Sequence, residues 1–317
     1  PPYWRKRLCI VSGALNMAIL GRGRAHGACS LLHAAGTGYG ASMSLDLPLA
    51  IRLLDKPSKR DLEDGDRILS FVVQSWKKAG HELPIPEEDI HWAVQSKIPI
   101  AQGLKSSSAL CVAAVRALCD ATEIHLELAD IVSIAVDAQL DSGITLTGSV
   151  DDTWACATPG WKLIDANQPN VREGILLEGD GPKEEDWDVL IVSRGPREKR
   201  PSLEDFIPHQ QHFIQALNAL QEENELVALT MNGRGVIGAT GDVKGRIMTN
   251  DALVNSARAA GITGSGTAIV IVVPKLLQGI MDRLKQWYES KYPDVELIET
   301  NFLNPDKEDS AAETPSS

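Results

Sequence analysis

The chain has 317 residues, 43% hydrophobic and 23% charged, the balance of a water-soluble globular protein with room for two domains of ordinary size. A formal net charge of −12 argues against a partner such as a nucleic-acid backbone, which is gripped by clustered Lys and Arg, and favours small-molecule chemistry. No run approaches the ~18 apolar residues of a membrane span, and Cys9, Cys29, Cys111, Cys119 and Cys156 are scattered without a Cys-x-x-Cys pair, as expected of structural thiols in a reducing compartment.

At the start of the chain, Arg5, Lys6 and Arg7 precede an apolar stretch from Leu8 to Leu20. Ser12, Gly13 and Asn16 interrupt it and Gly-Arg-Gly-Arg follows, a poor cleavage site, so the expectation is a cytoplasmic protein rather than a secreted one. Met17 stands just before the interpretable part. Residues 1–16 are therefore expected to be an upstream extension, with a first strand over Leu8–Val11 as the alternative. From Ala25 to Leu47 small residues dominate. Gly36, Gly38 and Gly40 predict a bend that enters a strand where another backbone comes close. The glycines precede a strand rather than a helix, which excludes a dinucleotide fingerprint.

Ile68, Leu69, Val72, Val73 and Trp76 recur at helical spacing and predict a helix over 64–78, ended by Gly80. A strand is expected at His91–Ser96, then the loop Pro99–Ala109, then helices over about 108–120 and 126–140. Ser142-Gly143 closes the second. A glycine turn at 148–152 carries Asp151 and Asp152, with strands expected near 154–157 and 174–177. The acidic loop Glu178–Asp188 is the best boundary, which divides the chain into 22–183 and 184–303. Beyond it come a buried strand at Trp187–Ser193 and helices near 208–223, 226–238 and 250–260. Gly264-Ser265-Gly266-Thr267-Ala268 forms a glycine hairpin or turn into a fully buried strand, Ile269–Val273. A helix over 276–291 and a strand over 295–299 complete an α+β fold without internal repeats, and the polar residues from about Asn304 are expected to be disordered.

The chemistry concentrates in Pro99, Ile100, Ala101, Gln102, Gly103, Leu104, Lys105, Ser106, Ser107, Ser108 and Ala109. This segment ends a short apolar strand and opens an apolar helix, so backbone amides and three hydroxyls converge where an anion is stabilised; the plainer alternative is a serine N-cap. Asp151 and Asp152 read either as a solvated turn or as a turn that carries a catalytic Asp151. Arg194, Arg197, Lys199 and Arg200 read as a carboxylate-binding cluster or, by a small margin, a solvated charge run. His81, His91, His125, His209 and His212 have no metal-site spacing, and no Gly-x-x-x-x-Gly-Lys-Ser/Thr motif is present.

Pro99–Ala109 resembles the phosphate loop of the GHMP kinase superfamily, and Gly264–Ala268 resembles its late glycine motif, with Thr267 where proline is usual. Within the superfamily the chain resembles archaeal-type shikimate kinase. The resemblance rests on Gly23–Ala28, Ala35–Ala41, Gly103–Ala109 with its Lys105, Gly143–Asp152 and Met231-Asn232-Gly233; Tyr39 stands where lysine is expected. The resemblance implies two domains, an N-terminal one with a left-handed β-α-β crossover and a C-terminal ferredoxin-like one, with the active site between them. It implies ATP and Mg²⁺ as cofactors and shikimate as substrate, phosphorylated on its 3-hydroxyl, with no nucleic-acid or membrane partner. ATP is expected on 99–109 together with Gly264, Ser265 and Gly266, and Asp151 as general base assisted by Lys105. Mg²⁺ is expected on Ser107 and Asp137, with Asp141 as second choice, and the substrate near Arg24, His26, Thr147 and Asp151. Asp152 is expected to be a turn or cap residue, or to hold Asp151. A homoserine- or mevalonate-type kinase and a non-catalytic sensor on the same fold are the alternatives.

Overall fold

The structure, a computed structural model, describes residues 17–58, 64, 67–145, 147–277 and 279–305. The expected extension over 1–16 with its alternative strand at 8–11, and the tail beyond 305, lie outside the described residues.

Two antiparallel sheets organise the chain. The first holds β1 (Ile19–Leu32), β2 (Tyr39–Leu54), β3 (His91–Ser96), β4 (Trp161–Asp165) and β5 (Ile175–Gly179), in the order β1-β2-β4-β5 with β3 also on β2. After Leu47, β2 buries Leu49, Ile51 and Leu53 while Pro48, Ala50 and Arg52 face solvent, the alternation of a half-covered strand. The second sheet holds β6 (Trp187–Ser193), β7 (Ala259–Ile262), β8 (Ile269–Pro274) and β9 (Glu296–Thr300), in the order β7-β8-β6-β9. With helices between β6 and β7 and between β8 and β9, this is the split β-α-β ferredoxin-like arrangement. The unbroken apolar run of β8 fits its place inside that sheet, buried along its length.

Helices α1 (Ala34–Thr37), α2 (Ile68–Lys78), α3 (Ser106–Thr122), α4 (Leu128–Ser142) and α5 (Val150–Ala157) belong to the first half. Helices α6 (Gln210–Gln221), α7 (Glu225–Thr240), α8 (Val243–Val254) and α9 (Ile280–Lys291) belong to the second. Asp64 caps α2 from outside, its carboxylate accepting from the amides of Ile68 at 2.8 Å and Leu69 at 3.1 Å. The glycines of Gly-Arg-Gly-Arg let α3 lie directly on β1: a Cβ at Gly23 would stand 1.8 Å from the carbonyl oxygen of Ala113. The alanine-rich buried face of α3 is the matching half of that contact.

Two expected elements are corrected. Residues 154–157 are not a strand but the end of α5, whose continuous burial comes from packing on strands and helices at once; a short apolar run does not reveal its period. The strand comes later, as β4. The helix expected over 250–260 is α8, shifted toward the N-terminus, and its last part is β7. There the small residues serve a close approach, since a Cβ at Gly261 would stand 2.5 Å from the Leu229 carbonyl oxygen on α7.

The sheets change over across the acidic loop, between Gly179 and Trp187. The chain then returns past β9. The amide of Asp46 donates to Asn301 O at 2.9 Å and that of Leu303 to Ser44 O at 3.1 Å, so residues 301–303 close on the first sheet. Asn304, expected to begin the disordered tail, accepts from the Glu184 amide at 3.0 Å. No helix among the described residues is long and apolar enough to cross a membrane.

Candidate active site

The loop before α3 lies against the hairpin between β7 and β8. Ala101, Gly103 and Lys105 all have positive φ, at 56°, 88° and 64°, and such alternation gathers backbone N–H groups into one concavity at a helix N-terminus. Only glycine fits at 103, where a Cβ would stand 2.0 Å from Thr263 O, and at 266, where it would stand 2.0 Å from the Gln102 carbonyl carbon. The two glycine motifs are therefore one structure. The Ala268 amide donates to Gln102 O at 3.1 Å and the Thr263 hydroxyl to Gly103 O at 3.0 Å. Gln102 extends the seam to β6: its amide nitrogen donates to Ser193 Oγ and its oxygen accepts from the Arg194 amide, both at 2.9 Å.

Beneath this loop lies a buried charge cluster. Lys105 Nζ is 2.7 Å from Asp152 Oδ1 and donates to Ser30 Oγ at 2.7 Å. Ser42, on β2, is 2.9 Å from Asp151 Oδ2 and 2.7 Å from Asp152 Oδ1. Both aspartates stand in the first turn of α5, where the helix dipole favours negative charge. Gly40 makes room for them, since a Cβ there would stand 2.6 Å from Asp151 Oδ1. Burial, then the neighbouring Asp152 charge, pushes the Asp151 carboxyl up to about 8. Burial acts upward on Asp152 too, but Lys105 outweighs it and holds that carboxyl below its ordinary value. Burial opposes the charge on Lys105, and Asp152 and Asp151 restore it, so the ammonium sits above its ordinary value. The pair thus holds one ionised carboxylate beside the ammonium and one proton-holding carboxyl near neutrality, a division of roles found where acid-base chemistry is done.

Several expected site residues sit elsewhere. Lys105 reaches down to Asp152 and Ser30 rather than into the concavity. Ser108 and Ala109 are buried, and the Ser108 hydroxyl donates to Gln139 Oε1 on α4 at 2.8 Å, so it belongs to the core rather than the anion cradle. Ser106 and Ser107 are half-buried and their hydroxyls have no partner among the described residues. The charges around Asp137 are those of Lys78 and Asp141, and Lys78 also lies 3.6 Å from Asp141. Two residues are about 200° apart on a helix, so Asp137 points away from the side of α4 on which Gln139 meets Ser108. The structure therefore does not support pairing Asp137 with Ser107. Arg24 is exposed. His26 faces Asp46, Arg116 and Arg24, and burial lowers its pKa. Arg116 ties that group to the last residue of α5, donating to Ala157 O at 2.6 Å, whereas the aspartates are on the first turn, so Arg24 and His26 are not brought to them. Thr147 lies in the loop before α5, its amide 3.3 Å from Thr145 Oγ1. Asp152 is not a solvated turn residue but the partner of Lys105. Tyr39 pairs with Asp165 at the start of β2.

The arginine cluster is divided. Arg194 makes a two-pronged pair with Asp242, at 2.6 and 3.2 Å, and donates to Thr267 O at 2.6 Å. Arg197 reaches Asp242 at 3.3 Å and the carbonyls of Ser265 and Gly266. These two side chains brace the late glycine loop, while Lys199 and Arg200 are exposed. Sequence reasoning missed Ser30, Ser42 and His33. His33 is half-buried, and burial, then Lys105, lowers its pKa to about 4. Its Nδ1 accepts from the Ala35 amide at 3.2 Å and its own amide donates to Asn232 Oδ1 at 2.8 Å, which ties the Met-Asn-Gly motif to the site. The neutral ring therefore carries its proton on Nε2.

The glycine loop before α3, closed by the second glycine hairpin, thus lies over Lys105, Asp152 and Asp151. The family described as GHMP kinases N terminal domain matches residues 70–160. The fold is similar to the crystal structure of the Methanococcus jannaschii mevalonate kinase, with TM-score 0.69 and 15% identity over 92% of this chain and 100% of that one. It is also similar to a structure described as MDDEF in complex with MVAPP, AMPPCP and magnesium, with TM-score 0.62 and 13% identity over 92% and 98%.

Curated relatives are more specific. A shikimate kinase of Thermococcus kodakarensis is 33% identical over 67% of this chain and 78% of its own length. One of Halobacterium salinarum is 27% identical over 85% and 93%, and one of Thermoplasma acidophilum is 28% identical over 63% and 66%. The chain belongs to this archaeal shikimate kinase family, within the GHMP kinases.

Proposed function

We propose that the chain is an ATP-dependent shikimate kinase that transfers a phosphoryl group to the 3-hydroxyl of shikimate, a step toward aromatic amino acids. The observation that carries this reading is the Asp151–Ser42–Asp152–Lys105 cluster lying directly under the glycine loop, in a member of the shikimate kinase family. The residues present fit a nucleotide: a concave run of amides at the N-terminus of α3, with the Ser106 and Ser107 hydroxyls unengaged. ATP, when bound, supplies the γ-phosphoryl group, and Mg²⁺ offsets its charge. The backbone of 101–107 and the hairpin 264–266 would hold the phosphates, and the Ser107 hydroxyl would supply an oxygen ligand to the metal.

Asp151 would take the proton of the attacking hydroxyl onto its carboxylate as that oxygen bonds to the γ-phosphorus and the bond from phosphorus to the β,γ-bridging oxygen breaks, releasing ADP. A base with a pKa near the working pH combines ionisation with proton affinity. Lys105, neutralised by Asp152, fixes that carboxylate's neighbour and keeps Ser42 aimed at both. His33 is close enough to Lys105 and Asp152 to feel both charges.

The test is phosphoryl transfer followed by ³¹P NMR of the product. Shikimate should yield one monoester, on the 3-hydroxyl. Asp151→Asn should lower kcat by about 10²- to 10⁴-fold, the range of general-base assistance, with the KM for ATP within a few-fold. Loss on Asp152→Asn but not on Asp151→Asn would move the base by one residue.

A further inference from the structure

Helix α7 carries a second concave surface on the side away from the aspartates. It is a cleft of about 490 Å³ whose polar wall is made by Arg234 on α7, Arg246 and Asn250 on α8, and His209 and His212 before and within α6. No Asp or Glu lines it among the described residues, although the chain as a whole carries a net charge of −12. Arg194 and Arg197 in the same half are neutralised by Asp242. Arg234 and Arg246, in contrast, have no carboxylate partner among the described residues, and the Arg234 guanidinium donates to the Met231 sulfur at 3.7 Å. The two threonines of the wall spend their protons locally, Thr230 on Leu226 O and Thr249 on Gly245 O. The Nδ1 of His212 is buried without a partner among the described residues. The polar groups that line the cleft are therefore two guanidinium groups, the Asn250 amide and two imidazoles, with no carboxylate among the described residues.

The floor is apolar, made by Ile237, Leu253 and Ala260. Asn232, which holds the His33 amide and reaches Ser30 O at 3.5 Å, is two residues before Arg234. Side chains so spaced leave a helix about 200° apart, so the cleft and the transfer site occupy opposite faces of α7. They are separate sites on one helix.

We propose that this cleft is an anion site for a small phosphate monoester, distinct from the nucleotide loop. Its dianion is held between the Arg234 and Arg246 forks, and its carbon body lies on Ile237, Leu253 and Ala260. Two guanidinium forks, an amide and two imidazoles present more donors than the two oxygens of a monocarboxylate occupy, whereas a phosphate ester offers three charged oxygens. The apolar floor favours an ester over the bare ion.

The experiment is calorimetric titration of phenyl phosphate into the full chain with the nucleotide loop saturated by a non-hydrolysable ATP analogue. One equivalent of phenyl phosphate is expected to bind, more tightly than inorganic phosphate. Arg234→Gln and Arg246→Gln should each weaken it by about tenfold, and Arg246→Lys, which keeps the charge but not the fork, by less. Nucleotide affinity should be unchanged throughout, and since the readout is binding rather than turnover, the result stands apart from the identity of the kinase substrate. No binding at millimolar phenyl phosphate, or equal affinity in the Gln variants, would overturn the site. Inorganic phosphate binding as tightly as the ester would overturn the ester assignment.

Discussion

Replacing Asp152 by Asn removes the charge that, after burial, does most to keep its neighbour protonated, and the size of the effect follows from the shared serine. The two carboxylate oxygens lie 2.9 and 2.7 Å from Ser42 Oγ, so they are at most about 5.6 Å apart. At an effective dielectric of about 20, like charges at that distance repel by about 3 kcal/mol, equivalent to about 2 pKa units. Asp151, pushed up to about 8 by burial and by Asp152, should then titrate about two units lower. The unpaired Lys105 charge acts in the same direction. A base works only when ionised, so the rising limb of the kcat/KM–pH profile should stand near 8 in the wild type and move about two units toward acid in Asp152→Asn. The assay is initial-rate ADP release at saturating ATP between pH 5 and 9, with sub-saturating shikimate. A limb that stays in place or moves toward alkali in the variant would refute the coupling, and a flat wild-type profile would refute Asp151 as the base.

Other consequences are open to direct measurement. Because the folded-state pKa of Asp151 is raised, its contribution to stability is fully present below its ordinary value of 3.8 and is lost as pH rises toward about 8. Asp151→Asn should therefore raise the Tm at pH 7.5 but not at pH 4, and thermal denaturation showing an equal gain at both would contradict the buried proton. Ser107→Ala should lower kcat and raise the Mg²⁺ requirement with the Tm little changed, whereas Ser108→Ala should leave kinetics alone and cost about 1–3 kcal/mol by orphaning Gln139. The reverse pattern would exchange their roles. Gln102→Ala breaks two buried hydrogen bonds across the seam and should lower the Tm by several degrees, from about 2 kcal/mol, while raising the KM for ATP. A stable variant with unaltered KM would show that the seam does not organise the loop.

The loop and the late hairpin were legible in the sequence because close backbone approach and positive φ leave a mark that only glycine satisfies, as at 103 and 266. The two aspartates were visible as carboxylates, but not their setting. Residues 154–157, Trp-Ala-Cys-Ala, are too short an apolar run to show a period, so neither a helix nor a strand announces itself. Ser42 is 109 residues from Asp151 and Ser30 is 75 from Lys105, and an isolated serine in a strand carries no local signal of what it will meet. The only hint was Gly40, whose missing side chain admits the Asp151 carboxylate. The arginines after β6 looked like a charge run because their partner, Asp242, is more than forty residues away, and one aspartate at a helix start looks like any other cap. Asp137 misled for the opposite reason. Its place in the helix before the aspartates was right for a ligand, but helical phase turned it toward α2.

The most direct test of the central reading is the specificity constant of the purified chain with Mg²⁺ and ATP against shikimate, quinate, homoserine and mevalonate, read as ADP release. Shikimate should give the highest kcat/KM of the four, and its turnover should collapse on Asp151→Asn. Faster phosphorylation of homoserine or mevalonate would contradict the substrate while leaving the kinase fold in place, and no turnover of any of the four would point to the non-catalytic sensor instead.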